Sequence, residues 1–167
     1  RKLVLQAVDG VALIADSRLS EKDNNAASFV DLRDNLKANG SDISRTPLVI
    51  QFNKRDLPDI RSDAEIVKMA SRGKEPVFAG IAKDGVGVLE NFVALLHVTW
   101  CTMDLLHGLG QKLGVDGHAL LADAAQQLNA PCSYEQLLAA RLGGSLDPIV
   151  AGRAGAPPSS IPPRGSR

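Results

Sequence analysis

Leu48-Val49-Ile50-Gln51-Phe52-Asn53-Lys54-Arg55-Asp56 is the stretch on which the reading of this chain turns. Its first five residues are nearly continuous in apolar character, have strand length and do not alternate, which is the pattern of a strand covered on both faces of a parallel sheet. Two similar runs flank it, Gly10-Val11-Ala12-Leu13-Ile14-Ala15 and Pro76-Val77-Phe78-Ala79-Gly80-Ile81. Between the first two, residues 20–39 place Phe29, Leu32 and Leu36 on one helical face, and Gly40 supplies a stop. Between the second and third, residues 63–72 carry Ile66 and Met69 at helical spacing and end at Gly73. Strand, helix, strand, helix, strand makes two successive right-handed βαβ units. The expectation is an α/β, three-layer fold with parallel strands at 10–15, 48–52 and 77–81, the middle one lying between the others.

After the third run and a turn at Asp84-Gly85, residues 86–107 repeat Leu89, Phe92, Leu96, Thr99, Met103 and Leu106 at intervals of three and four, predicting a long helix laid on the sheet. Gly108, Gly110 and Gly114 then interrupt the pattern. Two weaker helices are expected at 117–128 and 134–142, the second opened by Ser133 and Gln136 in capping-box spacing and stopped at Gly143-Gly144. Residues 151–167 hold four prolines, three glycines, three serines and three arginines without an acid, the composition of a disordered basic tail. Residues 1–109 thus read as one unit, 110–150 as a helical extension and 151–167 as a tail. Arg1 is not a start methionine, and Leu3, Val4, Leu5 and Val8 look like an amphipathic element already under way, so the chain is expected to begin within a domain.

The 167 residues suit one globular unit, with 44% hydrophobic and 23% charged residues. Nineteen basic residues balance nineteen acidic ones, so bulk charge makes no case for nucleic acid or an anionic membrane. Cys101 and Cys132 are too few for a disulfide framework and match no zinc spacing. No apolar run is long enough to span a bilayer. Together these point to a reducing, cytoplasmic setting.

In an open parallel sheet, ligands bind outside the carboxyl ends of the strands. The residues there are Asp16-Ser17, Asn53 to Pro58, and Ala82-Lys83-Asp84-Gly85. Asn53-Lys54-x-Asp56 directly after an apolar strand resembles the guanine-specificity motif of Ras-like GTPases, and the roles that resemblance implies fit the chemistry of the residues. A carboxylate at Asp56 can accept from guanine N1–H and N2–H₂ together, whereas adenine offers it no such donor pair. Lys54 would lay its stem along one face of the base, and Asn53 would tie neighbouring loops together and approach N7. Ala82 would offer its N–H to guanine O6, and Lys83 would cover the other face.

These residues carry a family resemblance. Val8-Asp9-Gly10-Val11 leading to Ala15-Asp16-Ser17, then Leu32-Arg33-Asp34-Asn35-Leu36, Pro47 through Pro58, and Pro76-Val77-Phe78 followed by Gly85-Val86-Gly87-Val88 resemble the bacterial MglA-type GTPases, Ras-like switches of gliding motility and cell polarity. The resemblance covers about residues 1–107 and matches the C-terminal half of such a domain, a partial Ras-like sandwich of the P-loop NTPase class. For a complete relative it implies GTP or GDP, Mg²⁺ and a roadblock-domain activating partner. One departure concerns Ile81, which stands where many Ras-like proteins carry a serine before Ala-Lys, so a hydroxyl that would brace Asp56 is missing.

No Gly-x-x-x-x-Gly-Lys-Ser/Thr loop occurs in the 167 residues, so nothing here would cradle the β and γ phosphates or hold Mg²⁺ through a hydroxyl. Asp84-Gly85-Val86-Gly87 reads as a turn and Gly108-Leu109-Gly110 as a helix stop. His97 and Cys101, four apart, lack a second pair of metal ligands and read as packing residues, as do Trp100 and Tyr134; His107 and His118 have no telling partner. No catalytic or metal-binding residue is assigned. Two functions compete: the guanine-recognising part of a GTPase, inactive in hydrolysis by itself, and a non-catalytic interaction or structural module that keeps the sheet edge and long helix and uses the helices after Gly110 to bind a partner, an exposed sheet edge itself favouring association.

Overall fold

The structure, a computed structural model, describes residues 8–149. The amphipathic start expected at Leu3 to Leu5 and the tail at 151–167 lie outside the described residues. Three strands, β1 (Val11–Asp16), β2 (Leu48–Asn53) and β3 (Val77–Ala79), form one sheet in the order β1-β2-β3. Both pairings are parallel, with Val11 opposite Leu48 through Asp16 opposite Asn53, and Ile50 opposite Val77 through Phe52 opposite Ala79. The expected central position of the second run holds. Each of the first two strands runs one residue further than expected. β3 is shorter, because Gly80 and Ile81 turn away and Ile81 pairs antiparallel with Val86.

Strand alternation splits the core in two. Ala15, Phe52 and Val77 pack with Ile66 and Ala70 on one face, while Val49 and Phe78 pack with Val93, Ala94 and Val98 on the other. Val49, with no exposed surface, and Phe52, at 8%, show why the central run has no polar alternation.

The helices are α1 (Lys22–Ala38), α2 (Asp63–Ala70), α3 (Val88–His107), α4 (Leu109–Leu113), α5 (Gly117–Gln127) and α6 (Tyr134–Ala139). α1 turns Phe29, Leu32 and Leu36 inward as expected and closes at Gly40 (φ +79°), where Ser41 N–H donates to the Leu36 carbonyl and Gly40 N–H to that of Lys37. In α2 the buried pair is Ile66 and Ala70, one turn apart, while Met69 is 36% exposed. Ser62 and Glu65 cap α2 reciprocally, and Ser133 and Gln136 cap α6 in the same way. No helix among the described residues is long and apolar enough to cross a membrane.

The expected inner face of α3 is corrected. Phe92 and Leu106 are half exposed, and the buried positions are Asn91, Val93, Ala94, Val98 and Thr102. The reason is a second partner: α3 lies against β1 and β2 on one side and against α5 and α6 on another. A helix buried on two sides carries apolar residues around most of its circumference, so a single stripe is not readable from spacing. The five-residue α4 was not expected among the glycines that bracket it.

Residues 110–149 share the main core. Leu121, Ala125, Leu137 and Leu138 belong to the same apolar cluster as Val49 and Phe78. Beyond α6, Leu142 donates to the Val77 carbonyl at 2.7 Å and Gly143 accepts from Val77 N–H at 3.0 Å, covering the outer edge of β3.

Gly87 fixes how the sheet meets α3. It has φ +76°, its carbonyl accepts from the buried Gln51 Nε2 at 2.8 Å, and a Cβ there would lie 2.2 Å from the Ala79 carbonyl oxygen. Gly87→Ala combines a left-handed penalty with a clash against β3 backbone, and a loss of at least about 2 kcal/mol in unfolding free energy is expected in a urea titration.

Candidate functional site

The carboxyl ends of the three strands converge through backbone bonds. Gly80 N–H donates to the Phe52 carbonyl at 2.9 Å and the Gly80 carbonyl accepts from Arg55 N–H at 3.2 Å, so Asn53 and Lys54 loop out between these two bonds. Lys54 makes that excursion with φ +64°, uncommon for a side chain with a Cβ, and Leu57 N–H closes the turn on the Lys54 carbonyl at 3.2 Å. Asp56 is thereby returned toward the loop after β3.

Asn53 joins the two loops. Its Oδ1 accepts from the Ala82 N–H at 2.8 Å, the loop-tying role expected of it. That bond engages the N–H that was expected to face a purine O6, so the Ala82 donor braces Asn53 here. The short 3₁₀ turn Ala82–Asp84 then presents Lys83, whose Nζ lies 2.8 Å from Asp56 Oδ2. The Lys83 ammonium holds the Asp56 carboxyl below its ordinary range, against a smaller opposing effect of burial, and Asp56 in turn raises the Lys83 pKa. Asn53, Asp56, Ala82 and Lys83 are therefore brought together. Lys54 is turned to a different partner.

That partner is Asp16, at the end of β1. Lys54 Nζ donates to Asp16 Oδ2 at 2.6 Å, and Arg18 grips the same carboxylate through Nε at 3.1 and 3.2 Å and Nη2 at 2.8 Å. Arg18 N–H adds a bond to Oδ1 at 3.0 Å. The Asp16 side chain is only 13% exposed, yet its carboxyl is held well below the usual range, chiefly by Arg18 and further by Lys54, which together outweigh the effect of burial. The α1 residue Asn25 secures the backbone at this point: its Oδ1 accepts from Asp16 N–H at 3.0 Å and its Nδ2 donates to the Asp16 carbonyl at 2.8 Å.

Sequence reasoning located Asp16 at a strand end without a partner, and did not find Arg18, Asn25 or Gln51. A carboxylate followed two residues later by arginine was the available signal. Arg55 was also under-read: its guanidinium donates to the Arg61 carbonyl at 2.5 Å and to Asp63 at 2.6 Å, tying the loop to the start of α2. His118, for which no telling partner was expected, meets Glu135 at 3.2 Å and the edge of the Tyr134 ring, while Asp84 to Gly87 form the turn into α3 as expected. His97 and Cys101 face each other at 3.8 Å, and no group of three metal-ligating side chains occurs among the described residues.

No protein-family model matches the chain. Among curated proteins, it is 40% identical over 95 residues to the mutual gliding-motility protein MglA of Myxococcus xanthus (strain DK1622). That alignment covers 57% of this chain and 49% of the relative, so the chain spans about half the length of the curated protein it matches. The matched stretch is homologous to part of that MglA protein. The three parallel strands with helices on both faces agree with that relationship. α5 and α6 pack on α3, so residues 110–149 share one core with the strands.

The charge pattern fixes an acid response. Because Asp16 has a folded pKa below its ordinary value of 3.8, its contribution to stability is complete above that value and is lost as pH falls below it. Urea midpoints measured from pH 7 to pH 2.5 should fall in the parent below about pH 4, and the fall should be shallower in Asp16→Asn, which begins from a lower plateau.

Proposed function

We propose that this chain contributes the guanine-reading corner of an MglA-type GTPase, a nucleotide-operated switch for gliding motility and cell polarity. The observation that supports this reading is the Asn53–Ala82 bond, which sets Asp56 and Lys83 side by side at the ends of β2 and β3. Asp56 is an exclusive acceptor held ionised by its neighbour, the state that accepts two donors from one guanine edge. Lys83 is two-thirds exposed, so its arm is free to leave Asp56 and lie over a base when guanine supplies the replacement donors.

Phosphate chemistry needs other residues. The 167 residues contain no phosphate-cradling loop, and so none of the hydroxyl and lysine that such a loop offers to Mg²⁺ and the phosphates. GTP hydrolysis, Mg²⁺ and a roadblock-domain activator belong, in this reading, to a complete domain, and this chain alone turns over no GTP. A cytoplasmic setting accords with that role.

A second reading, an interaction module, draws on β1. Its outer edge has no strand partner among the described residues, and Ile14 on that strand is 50% exposed, a combination that favours pairing with another chain or a second copy.

Asp56→Asn separates the two. Losing the charge-assisted bond to the base should weaken guanine binding roughly ten- to a hundredfold. Titration of GDP, ADP and xanthosine diphosphate, against the chain alone or within its full-length protein, should show guanine preference in the parent. The variant should lose that preference and gain in xanthine binding, because its amide can donate to the carbonyl that replaces the guanine amine. Equal GDP affinity in parent and variant removes the base-recognition reading and leaves the interaction module.

A further inference from the structure

We propose that Asp16 is a positioning residue of the base site, acting through Lys54: by pinning the Lys54 ammonium beyond the end of β2 it extends that side chain in advance along the path of a bound guanine ring. The inference rests on the guanine-reading function above and adds to it a residue outside the Asn53-Lys54-x-Asp56 signature. Three observations carry it. Lys54 leaves the strand with φ +64°, so its direction is set by a backbone turn, and its Nζ meets Asp16 Oδ2 at 2.6 Å across 38 residues of sequence. Asp16 is itself immobilised, since Arg18 grips the carboxylate through both Nε and Nη2 while the Asn25 amide pairs with its backbone N–H and carbonyl. Asp16 Oδ2 is shared, accepting from Arg18 Nη2 at 2.8 Å and from Lys54 Nζ at 2.6 Å, while Glu21 lies 3.5 Å from the Arg18 guanidinium, so two carboxylates and two cations form one linked cluster that holds the Lys54 head.

The physical need is clear from the side chain. A lysine arm has four rotatable bonds and a strongly hydrated head, and holding it in one conformation at the moment of binding weakens affinity. An anchor formed in the free protein moves that loss out of the binding step. Asp56 has its own partner in Lys83, so the two anchors are separate: Asp16 organises the stem over the base, and Asp56 reads the edge.

Heteronuclear NMR on the described chain tests this without catalysis. In ligand-free protein, the Lys54 NH₃⁺ group should give a slowly exchanging signal with a coupling across its hydrogen bond to the Asp16 carboxylate. Absence of that signal in the parent overturns the proposal before any variant is needed. GDP and ADP titrations then compare the parent with Asp16→Asn, Lys54→Met and the double variant. Each single change should weaken GDP binding by roughly five- to tenfold, and Asp16→Asn should add nothing in the Lys54→Met background. A merely structural role for Asp16 would give additive losses, and that result overturns the proposal, as does unchanged GDP affinity in Asp16→Asn. In both of those cases the parent still prefers GDP over ADP and base recognition stands. A parent without that preference removes the base reading itself, and the positioning role falls with it.

Discussion

The hydrogen bonds of β2 to both of its neighbours, with its two faces buried at once, constrain everything else in this molecule. Val49 and Phe52 belong to opposite apolar clusters, so the strand cannot slip by one residue without turning core side chains into the wrong layer. Register thus locks Asn53 at the same level as Asp16 on one side and just before Gly80 on the other. The loop that follows inherits its position from the core.

Two ion pairs occupy that loop, and each uses a residue of Asn53-Lys54-x-Asp56. Lys54 looks toward β1 and Asp56 toward the turn after β3, with the Asn53 amide standing between them as a neutral brace. Acid and base are thereby distributed so that no charge in that motif lacks a partner. Exposed pairs of this kind add little to stability, while the largely buried Asp16 with its bidentate arginine is the member on which acid resistance depends.

The helices after Gly114 change the meaning of α3. α3 covers the sheet, and α5 and α6 cover α3 in turn, with Leu142 and Gly143 returning to seal β3. One free edge remains among the described strands, along β1, and β1 also carries Asp16.

The sequence by itself determined the three strands, their parallel order, the caps at Gly40 and Ser133, and the cluster of polar residues at the strand ends. These depend on short-range physics: continuous apolar runs need two covering layers, glycine admits positive φ, and a serine oxygen three residues before a free N–H caps it. Tertiary structure alone decided which face of α3 is buried, because its second covering layer comes from α5 and α6, later elements whose packing its own spacing does not record. It also decided that Ala82 braces Asn53, that Arg55 ties its loop to α2, and that Lys54 belongs to Asp16. Lys54 and Asp16 are 38 residues apart, and only the β1–β2 register and one left-handed turn bring ammonium and carboxylate to 2.6 Å. Spacing along a chain carries no record of such a contact, because the distance is set by packing between elements and not by the residues between them.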